Sequence, residues 1–498
     1  MADLLGGFSI LLQPINIFIL IFGTILGFTG GAIPGISGTM LVVLLVPLTY
    51  TIEATSALLS LITVYCSAVF GGSISAILFR TPGAPESVAT TLDGYPMTLK
   101  GQSALALGVS VSCSAIGGII GSIFLITLTP QLAKVALQFG PVEYFGLCVM
   151  ALSVISSLGE ENQLKSLVAS LIGLVLMTIG IDPMTGSERF TFGSRLLMSG
   201  IDFIPILIGL FAVSEGFRRF EQDASGVKKD IGKINTTFPD LKLFKKLSPL
   251  IARSSLLGTV IGILPGIGAT TASMVSYSEA VRTSKTPEKY GTGIPEGVAA
   301  PEAANNAAAC GAIIPLIALG IPGSATTAVM LGAFILHGIV PGPLMFIDNR
   351  PLIYALFVGC LIANILILLI AKPFIKGFAQ IIKIPYNILG PIILVLCLVG
   401  GFAIRNSILD VWMILVFGII GYTFEKFDIP TAPIVIGAVL GSLTEQSFRR
   451  ALVMSNSGAA IFFQRPVSAI LIVVGLISFA YPLYRSYKKK KNLNKMSV

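Results

Sequence analysis

Apolar runs close to the thickness of a lipid bilayer recur from end to end of this chain of 498 residues. Clear examples occupy residues 17–33, 105–128, 352–370, 388–404 and 467–483. A helix needs about 20 mostly apolar residues to cross the hydrocarbon core. Only 11% of the residues are charged, whereas soluble domains carry roughly 25%, so a water-facing surface for the whole chain could hardly be built. The sequence therefore predicts an all-α polytopic membrane protein.

Many of the positive charges behind the net charge of +9 lie in two clusters, at residues 218–246 and 485–491. Basic clusters beside membrane spans mark the cytoplasmic side, so we prefer this interpretation to nucleic-acid binding. Residues 1–7 lack the basic start of a cleavable signal peptide, so the first apolar run is predicted to be a retained span.

The cysteines and the histidine argue against a metal centre, and no cofactor is expected. His337 is the only histidine, which excludes a His-based metal site. The six cysteines stand singly in mostly apolar surroundings, without a CxxC pair, and are predicted to be buried and unreactive. They are Cys66, Cys113, Cys148, Cys310, Cys360 and Cys397.

Four short motifs recur in the same order in the two halves of the chain. They pair residues 34–39 with 265–270, 81–83 with 321–323, 203–209 with 431–437, and 217–219 with 448–450. The offsets differ by at most 12 (265 − 34 = 231, 322 − 82 = 240, 433 − 205 = 228 and 448 − 217 = 231). A duplication is therefore predicted. Its units are a first repeat at 8–220, a cytoplasmic basic linker at 221–249, a second repeat at 250–450, an extra span at 459–484 and a basic cytoplasmic tail at 485–498.

Charge also predicts how the two repeats are oriented. The basic segment after Arg219 and the basic tail are both expected in the cytoplasm. One span separates that tail from Arg449 and Arg450, so the equivalent ends of the repeats should lie on opposite faces. This is an inverted-topology repeat, a plan used by secondary transporters. The pair Arg449 and Arg450 then lies outside, against the charge rule.

Two kinds of Pro-Gly break, each present in both repeats, are the strongest candidates for a binding site. Proline removes a backbone donor and glycine loosens the helix, and Ser or Thr follows each break. A new half-helix starting there would direct free N–H groups and a partial positive charge at a carboxylate. Ordinary kinks or surface loops are the plainer alternative. The full set predicted to bind substrate is Pro34, Gly35, Ser37, Gly38, Thr39, Arg80, Thr81, Pro82, Gly83, Ser87, Pro265, Gly266, Gly268, Thr270, Thr271, Asn305, Asn306, Pro322, Gly323, Ser324 and Thr326.

Three members of this set carry open alternatives. Asn305 and Asn306 precede an apolar run, where their amides would bind a sodium ion or a carboxylate, or else join helices together. Arg80 follows an apolar run and suits a carboxylate, or it reaches an interface as a snorkelling side chain. Asp93 and Lys100 are interpreted as a loop pair and are weaker candidates.

The segment at 81–96, Thr-Pro-Gly-Ala-Pro-Glu-Ser-Val-Ala-Thr-Thr-Leu-Asp-Gly-Tyr-Pro, followed by Lys100, resembles the hallmark of the tripartite tricarboxylate transporter permeases, the TctA family. The Pro-Glu-Gly at 295–297 and the Pro-Glu-Ala-Ala-Asn-Asn-Ala at 301–307 are similar to its second hallmark. The glycine-rich segments at 31–38 and 262–268 look like its helix breaks. Arg80 departs from the small polar residue, such as Asn, that the resemblance leads us to expect.

The resemblance implies a large permease subunit of about 12 spans in the cytoplasmic (inner) membrane. It also implies a small membrane subunit, an extracytoplasmic solute-binding protein that delivers the substrate, and secondary transport driven by an ion gradient. We therefore expect import of a di- or tricarboxylate by alternating access, coupled to Na⁺ or H⁺. The absence of a GxxxxGK[ST] loop agrees with this mechanism. The alternatives are an anion channel or a membrane scaffold; an embedded enzyme would need an acid–base or metal cluster that the sequence does not offer.

Overall fold

The computed structural model describes residues 2–33, 35–157, 163–223, 236–378 and 386–496, and about 80% of the chain is helical. A short antiparallel pair, β1 (Gly180–Ile181) and β2 (Glu188–Arg189), interrupts the helices. The first half of the chain forms α1 (Ala2–Leu11), α2 (Pro14–Ala32), α3 (Gly38–Thr49), α4 (Ala54–Phe79), α5 (Thr91–Leu99), α6 (Ser103–Ala136), α7 (Pro141–Ser157), α8 (Gln163–Leu176), α9 (Arg195–Met198), α10 (Phe203–Leu207) and α11 (Ser214–Asp223). The second half forms α12 (Leu241–Ile263), α13 (Gly268–Thr283), α14 (Pro295–Leu319), α15 (Ala325–Leu336), α16 (Met345–Asp348), α17 (Arg350–Phe378), α18 (Tyr386–Arg405), α19 (Ile408–Lys426), α20 (Thr431–Val453), α21 (Ile461–Gln464) and α22 (Pro466–Met496).

Six of the described helices are long and apolar enough to cross a bilayer, namely α2, α4, α6, α14, α17 and α19. A seventh span results if the segment Gly458–Gln464 and the first part of α22, which meet at 90°, are taken together. Shorter apolar helices accompany them, namely α3, α7, α8, α15 and α18. The prediction of an all-helical, multi-pass membrane protein is confirmed, whereas the count of about 12 spans stays a prediction.

Helices α4 and α14 lie at the centre of the protein. In each, 94% of the most apolar 18-residue window is buried inside the protein, compared with 56% for α2 and α17 and 28% for α19. A helix that meets lipid on one side must be apolar on that side, but a helix enclosed by protein can carry polar side chains. These two helices are therefore where polar chemistry at membrane depth is expected.

The two central helices are held by matching glycine contacts. Helix α2 packs on α4, and α12 packs on α14. A Cβ atom on Gly31 would overlap the carbonyl group of Ala68, and one on Gly262 would overlap that of Ala308. Small residues at such contacts let two helix backbones approach closely. The contact partners keep the offsets of the sequence repeat (262 − 31 = 231 and 308 − 68 = 240), so the duplicated segments fold in the same way.

The last helices of each half pack against helices of the other half. Helix α20 of the second half packs on α8 of the first, and the π-helical segment Ile208–Val213 of the first packs on α19 of the second. A Cβ atom on Gly437 would overlap the carbonyl group of Ser170, and one on Gly209 would lie 2.7 Å from the carbonyl oxygen of Ile414. The halves are therefore interlocked.

The basic linker and tail contain more helix than the sequence analysis assigned to them. Helix α12 begins at Leu241 because Asp240 caps it, accepting a hydrogen bond from the Leu243 N–H at 2.8 Å. Lys242, Lys245 and Lys246 therefore lie on a helix, and residues 224–235 lie outside the described residues. Helix α22 likewise continues through the basic run at 488–491.

The arginine that conflicted with the charge rule is ion-paired. Arg449 donates to Asp182 at 2.8 Å and to Glu445 at 3.1 Å. Hydrogen bonds from Thr185 and Met184, together with the Arg449 guanidinium, hold the pKa of the Asp182 carboxyl below its usual range. Because its charge is compensated locally, Arg449 is a weak indicator of the cytoplasmic face. The inverted orientation of the repeats stays a prediction.

Candidate functional site at the helix breaks

In the first half, the two predicted breaks are joined by a backbone hydrogen bond. Helix α2 ends at Ala32, and Gly35 takes a left-handed conformation with φ of 88°. The Gly35 N–H donates to the carbonyl oxygen of Gly83 at 3.3 Å, and the Gly83 N–H donates to that of Gly72 at 3.1 Å. The break after α2 therefore lies against the break after α4. Pro34 lies outside the described residues.

The second half repeats this arrangement. Helix α12 ends at Ile263, and Gly266 has φ of 80°. The Gly266 N–H donates to the carbonyl oxygen of Gly323 at 2.9 Å. This bond is the counterpart of that between Gly35 and Gly83 (266 − 35 = 231 and 323 − 83 = 240). Only a residue without a Cβ atom adopts these positive φ values at low cost, which explains why glycine stands at both positions.

At two of the four breaks a serine starts the next helix, as the sequence predicted, whereas α5 and α13 begin without a side-chain cap. Ser37 caps α3 by accepting a hydrogen bond from the Met40 N–H at 3.2 Å. Ser324 caps α15 through a capping box with Thr327. Both serine hydroxyl groups thus satisfy backbone donors at a helix start. The N-termini of both half-helices point into the region where the breaks meet, because Thr39 and Thr326 of their first turns hydrogen-bond to each other at 2.7 Å.

Further contacts cross between the halves at equivalent positions. The Asn305 side-chain N–H donates to the Glu86 carbonyl oxygen at 3.4 Å, in the second break of the first half. The Tyr65 hydroxyl lies 3.5 Å from the Ser324 hydroxyl, in the second break of the second half. Tyr65 and Asn305 are equivalent in the repeat (305 − 65 = 240). Helix α13, which follows the remaining break, packs on the 3₁₀ turn at 85–87. All four breaks therefore meet between the two halves.

Several buried polar atoms at this meeting point have no hydrogen-bond partner among the described residues. They are Oδ1 of Asn305, both side-chain polar atoms of Asn306 and Oε2 of Glu86. The exposed fractions of Asn305 and Asn306 are 0% and 1%. Each buried polar atom without a partner costs about 1–3 kcal/mol. Buried polar atoms without partners also occur at Ser67 and Asn364, but Asn305 contacts the break at Glu86, where a polar ligand could supply the missing partners.

The other predicted site residues line the same breaks. Ser87 is buried and lies 3.2 Å, oxygen to oxygen, from Ser73, while Thr81 donates to the Phe79 carbonyl oxygen at 3.2 Å. Half-buried or buried in the breaks and the first turns after them are Gly38, Pro82, Pro265, Gly268, Thr270, Thr271, Pro322 and Gly323.

The Arg80 side chain is not buried where the four breaks meet. It is exposed, forms no ion pair among the described residues and takes the left-handed conformation (φ of 55°) that ends α4. The equivalent residue at the end of α14 is Gly320, with φ of 71° (320 − 80 = 240). The position therefore favours glycine or asparagine for the conformation of the backbone, which gives a physical reason for the small residue expected there.

The interpretation of Asp93 and Lys100 as a loop pair is wrong. Asp93 lies on α5 and is 0% exposed. Its carboxylate accepts hydrogen bonds from the N–H groups of Gly293 (2.7 Å), Gly291 (3.0 Å) and Ile294 (3.0 Å) and from a tyrosine hydroxyl. The Lys100 ammonium donates to the Gly293 carbonyl oxygen at 3.5 Å. Both residues attach the first half to the turn before α14.

The cysteines are buried as predicted, but three of them do not stand singly. The Cys360 sulfur lies 3.5 Å from that of Cys310 and 3.7 Å from that of Cys66. They come from α17, α14 and α4, so sequence spacing gave no sign of the cluster. All six cysteines are free thiols.

The set of predicted site residues omits a buried carboxylate on α14. Glu302 on α14 is 0% exposed and is surrounded by hydroxyl groups from α4, α6 and the residue before α5. The available signal was a Glu within an alanine-rich apolar stretch, one turn before Asn305 and Asn306.

Comparison with known proteins gives one family and two relatives. A family model described as "Tripartite tricarboxylate transporter TctA family" matches residues 17–436. The "Uncharacterized 52.8 kDa protein in TAR-I ttuC' 3'region" of Agrobacterium vitis is 38% identical over 496 residues, covering 99% of each chain. The "Uncharacterized protein in TAR-II ttuC' 3'region" of the same organism is 39% identical over 235 residues, covering 47% of this chain and 97% of its own length. No solved structure matches the chain.

Proposed function

This chain belongs to the tripartite tricarboxylate transporter TctA family, and we propose that it is the large permease subunit of a secondary transporter that imports a di- or tricarboxylate across the cytoplasmic membrane. The substrate binds where the four helix breaks meet. It arrives from an extracytoplasmic solute-binding protein, and a small membrane subunit completes the transporter. Movement of one half against the other is coupled to Na⁺ or H⁺.

The observation that carries this proposal is the set of polar atoms without partners at Asn305 and Asn306. Amide N–H groups donate to carboxylate oxygens, and amide oxygens accept from a hydroxyl group or bind a cation. The starts of α3 and α15, whose first turns meet at Thr39 and Thr326, add the partial positive charge of two helix N-termini. A carboxylate would accept from the Asn306 N–H and from the two helix N-termini, so it needs no arginine in the site, while a hydroxyl group of the substrate or a cation would satisfy the amide oxygens.

Alternating access is supported by the reciprocal contacts between the halves. Each central helix contacts the second break of the opposite half, through Asn305 to Glu86 and through Tyr65 to Ser324. Both contacts are long and involve few atoms, so they can be exchanged for others at low cost. Two units related in this way can rock about the binding site and open it to each side in turn.

The test is substrate uptake by the complete transporter in proteoliposomes, with radiolabelled succinate, malate and citrate as probes. Asn306→Ala removes an amide whose hydrogen bond to a charged ligand would contribute about 1.5–3 kcal/mol. We expect KM to rise roughly 10- to 100-fold, since about 1.4 kcal/mol corresponds to a factor of ten. The matched control is Asn16→Ala, which removes another buried amide, at the start of α2, whose N–H donates to the Ile10 carbonyl oxygen and whose oxygen accepts from Ser56. The control should keep KM within about threefold of the wild-type value. If the Asn306 variant also kept the wild-type KM, the proposed site would be contradicted.

Two comparisons in the same vesicles distinguish a transporter from an anion channel or a scaffold: uptake with and without a cation gradient, and uptake with and without the binding protein. Coupled transport requires a cation gradient to concentrate the substrate and requires the binding protein for full uptake. A channel would let the probes equilibrate without either, and a scaffold would give no uptake.

A further inference from the structure

Glu302 is a buried carboxylate without a cation beside it. Its side chain is 0% exposed at the centre of the protein, and among the described residues no Lys, Arg or His forms an ion pair with it. A charge removed from water costs several kcal/mol unless other groups replace its hydration. At this position those groups are hydroxyls. One helical turn further along α14 lie Asn305 and Asn306 of the proposed substrate site.

Four hydroxyl groups surround the carboxylate, two for each oxygen atom. Oε1 accepts from Ser73 at 2.6 Å and from Thr90 through a short bond. Oε2 accepts from Ser114 at 2.6 Å and from Ser110 at 3.0 Å. An ionised carboxylate offers about four acceptor positions, so the ionised form is fully hydrogen-bonded.

Hydroxyl groups also fit the protonated form, because each can donate or accept. When Glu302 gains a proton, its O–H needs an acceptor, and rotation of one neighbouring hydroxyl group supplies it. Asp93 shows the opposite design within the same chain. Three backbone N–H groups, of Gly291, Gly293 and Ile294, and one hydroxyl group, of Tyr277, surround it, and since an N–H cannot accept, that site favours the ionised carboxylate. The surroundings of Glu302 accommodate both protonation states.

The hydroxyl groups connect Glu302 to the helix breaks. The Ser73 oxygen lies 3.2 Å from that of Ser87, which follows Glu86 in the second break of the first half. Glu302 belongs to the second half, whereas all four surrounding hydroxyl residues belong to the first. A change in the protonation of Glu302 therefore changes the hydrogen bonds between the two halves.

No other titratable group on the elements packed against α14 hydrogen-bonds to Glu302 among the described residues. The helices and the 3₁₀ turn packed on α14 carry Tyr65, Cys66, Glu86, Asp93, Tyr95, Lys100, Cys113, Lys134, Lys242, Lys245, Lys246, Arg253, Tyr277, Glu279 and Arg282, with His337 at the end of α15. The cations on α12 pair instead with surface carboxylates, Lys246 with Glu296 and Arg253 with Glu279.

We propose that Glu302 and its four hydroxyl partners form the binding site of the coupling proton, so that the carboxylate takes up one H⁺ from the outer side and releases it to the cytoplasm in each transport cycle. This inference rests on the proposed function and chooses H⁺ over Na⁺. Both carboxylate oxygens already accept hydroxyl donors, so a metal ion would have to displace these hydrogen bonds, whereas a proton needs only the rotation of one hydroxyl group.

The test uses the complete transporter in proteoliposomes that contain a pH-sensitive dye, with succinate, malate and citrate as probes. In the wild type we expect H⁺ entry together with substrate and uptake driven by an imposed pH gradient. Glu302→Gln keeps the shape but cannot bind and release a proton, so gradient-driven uptake and H⁺ entry should fall at least about tenfold. Exchange of internal for external substrate needs no net proton movement and should stay within about threefold.

Two further variants separate coupling from folding. Glu302→Asp keeps a titratable carboxyl and should recover part of the gradient-driven uptake. Glu296→Gln, on the same helix but outside the hydroxyl cluster, should transport as the wild type does. If Glu302→Gln does not fold, the wild-type measurement still decides, because substrate uptake without H⁺ entry overturns the inference.

The outcomes also separate this inference from the proposed function. Uptake driven by a Na⁺ gradient without H⁺ entry, or full pH-driven uptake by Glu302→Gln, would overturn the proton site and leave the transporter assignment standing. Absence of carboxylate uptake under every gradient would overturn both.

Discussion

The central helices α4 and α14 have the same framework but different chemistry. Both are enclosed by protein, end in a left-handed residue and precede a Pro-Gly break that accepts a backbone hydrogen bond from the first break of its own half. Where α14 carries Glu302, Asn305 and Asn306, the repeat offset of 240 (302 − 62 = 240) places Ile62, Tyr65 and Cys66 on α4.

This difference distinguishes architecture from function. Features present on both helices are what the backbone needs in order to break and pack, and a change on either side should have a similar effect. On α14 the atoms without partners belong to the amides of Asn305 and Asn306, whereas α4 has the hydroxyl group of Ser67, so buried amides are not needed to build a broken helix. The asymmetry supports the proposal that the second half supplies the chemistry, on a framework to which both halves contribute.

The strongest test of the shared framework is the glycine of the second break. A Cβ atom on Gly83 would overlap the Gly31 carbonyl oxygen, and one on Gly323 would lie 2.7 Å from the Cα atom of Ala312. These neighbours are backbone atoms and cannot move aside, so Gly83→Ala and Gly323→Ala should each destabilise the fold by about 1–3 kcal/mol or more. Thermal unfolding in detergent measures the effect, and Gly6→Ala, where a Cβ atom meets nothing within 4 Å, is the control. If only one of the two variants lowered the unfolding temperature, the two halves would not be equivalent at this position.

The next test concerns the equivalent pair on the two helices. Asn305→Ala removes an amide oxygen that lacks a partner and would accept from the hydroxyl group of malate or citrate, and we expect KM for these probes to rise at least about tenfold. Tyr65→Phe removes a hydroxyl group whose contact with Ser324 is 3.5 Å long, so KM should change by less than about threefold. Equal effects in the uptake assay would show that chemistry is shared between the halves.

A smaller effect is expected at the contact between the half-helices. Thr39→Val and Thr326→Val each remove one side of a buried hydrogen bond of 2.7 Å. Each variant should lower stability by about 1 kcal/mol, because the remaining hydroxyl loses its partner. The double variant should cost less than the sum of the two. Strict additivity in thermal unfolding would mean that these half-helices do not meet in the dominant state.

The sequence was most informative where a single backbone position decides the structure. The Pro-Gly motifs predicted the breaks, and their fixed offset predicted that both halves fold alike. The Gly-xxx-Gly spacings at 27–31 and 258–262 also indicated the packing on α4 and α14, although the sequence analysis did not use them.

What the sequence could not show depends on contacts between distant residues. The hydroxyl partners of Glu302 come from separate elements, so no local pattern connects Ser73 with Ser114 or with Thr90. The cysteine cluster joins Cys66 to Cys360 for the same reason, since packing brings together residues that are far apart in the chain.

Arg80 provides the finest test, because its role can be either conformational or chemical. A non-glycine residue in the left-handed conformation costs about 1–2 kcal/mol, part of which glycine loses again through the entropy of the unfolded chain. Arg80→Gly should therefore raise stability by roughly 0.5–1 kcal/mol and leave KM for the carboxylate probes unchanged. Gly320→Ala at the equivalent position should lower stability, because its Cβ atom would also lie 2.7 Å from the Pro341 carbonyl oxygen. A large rise in KM for Arg80→Gly would show instead that the guanidinium binds the substrate. The first half would then contribute a charge to the site, and the second half would contribute amides.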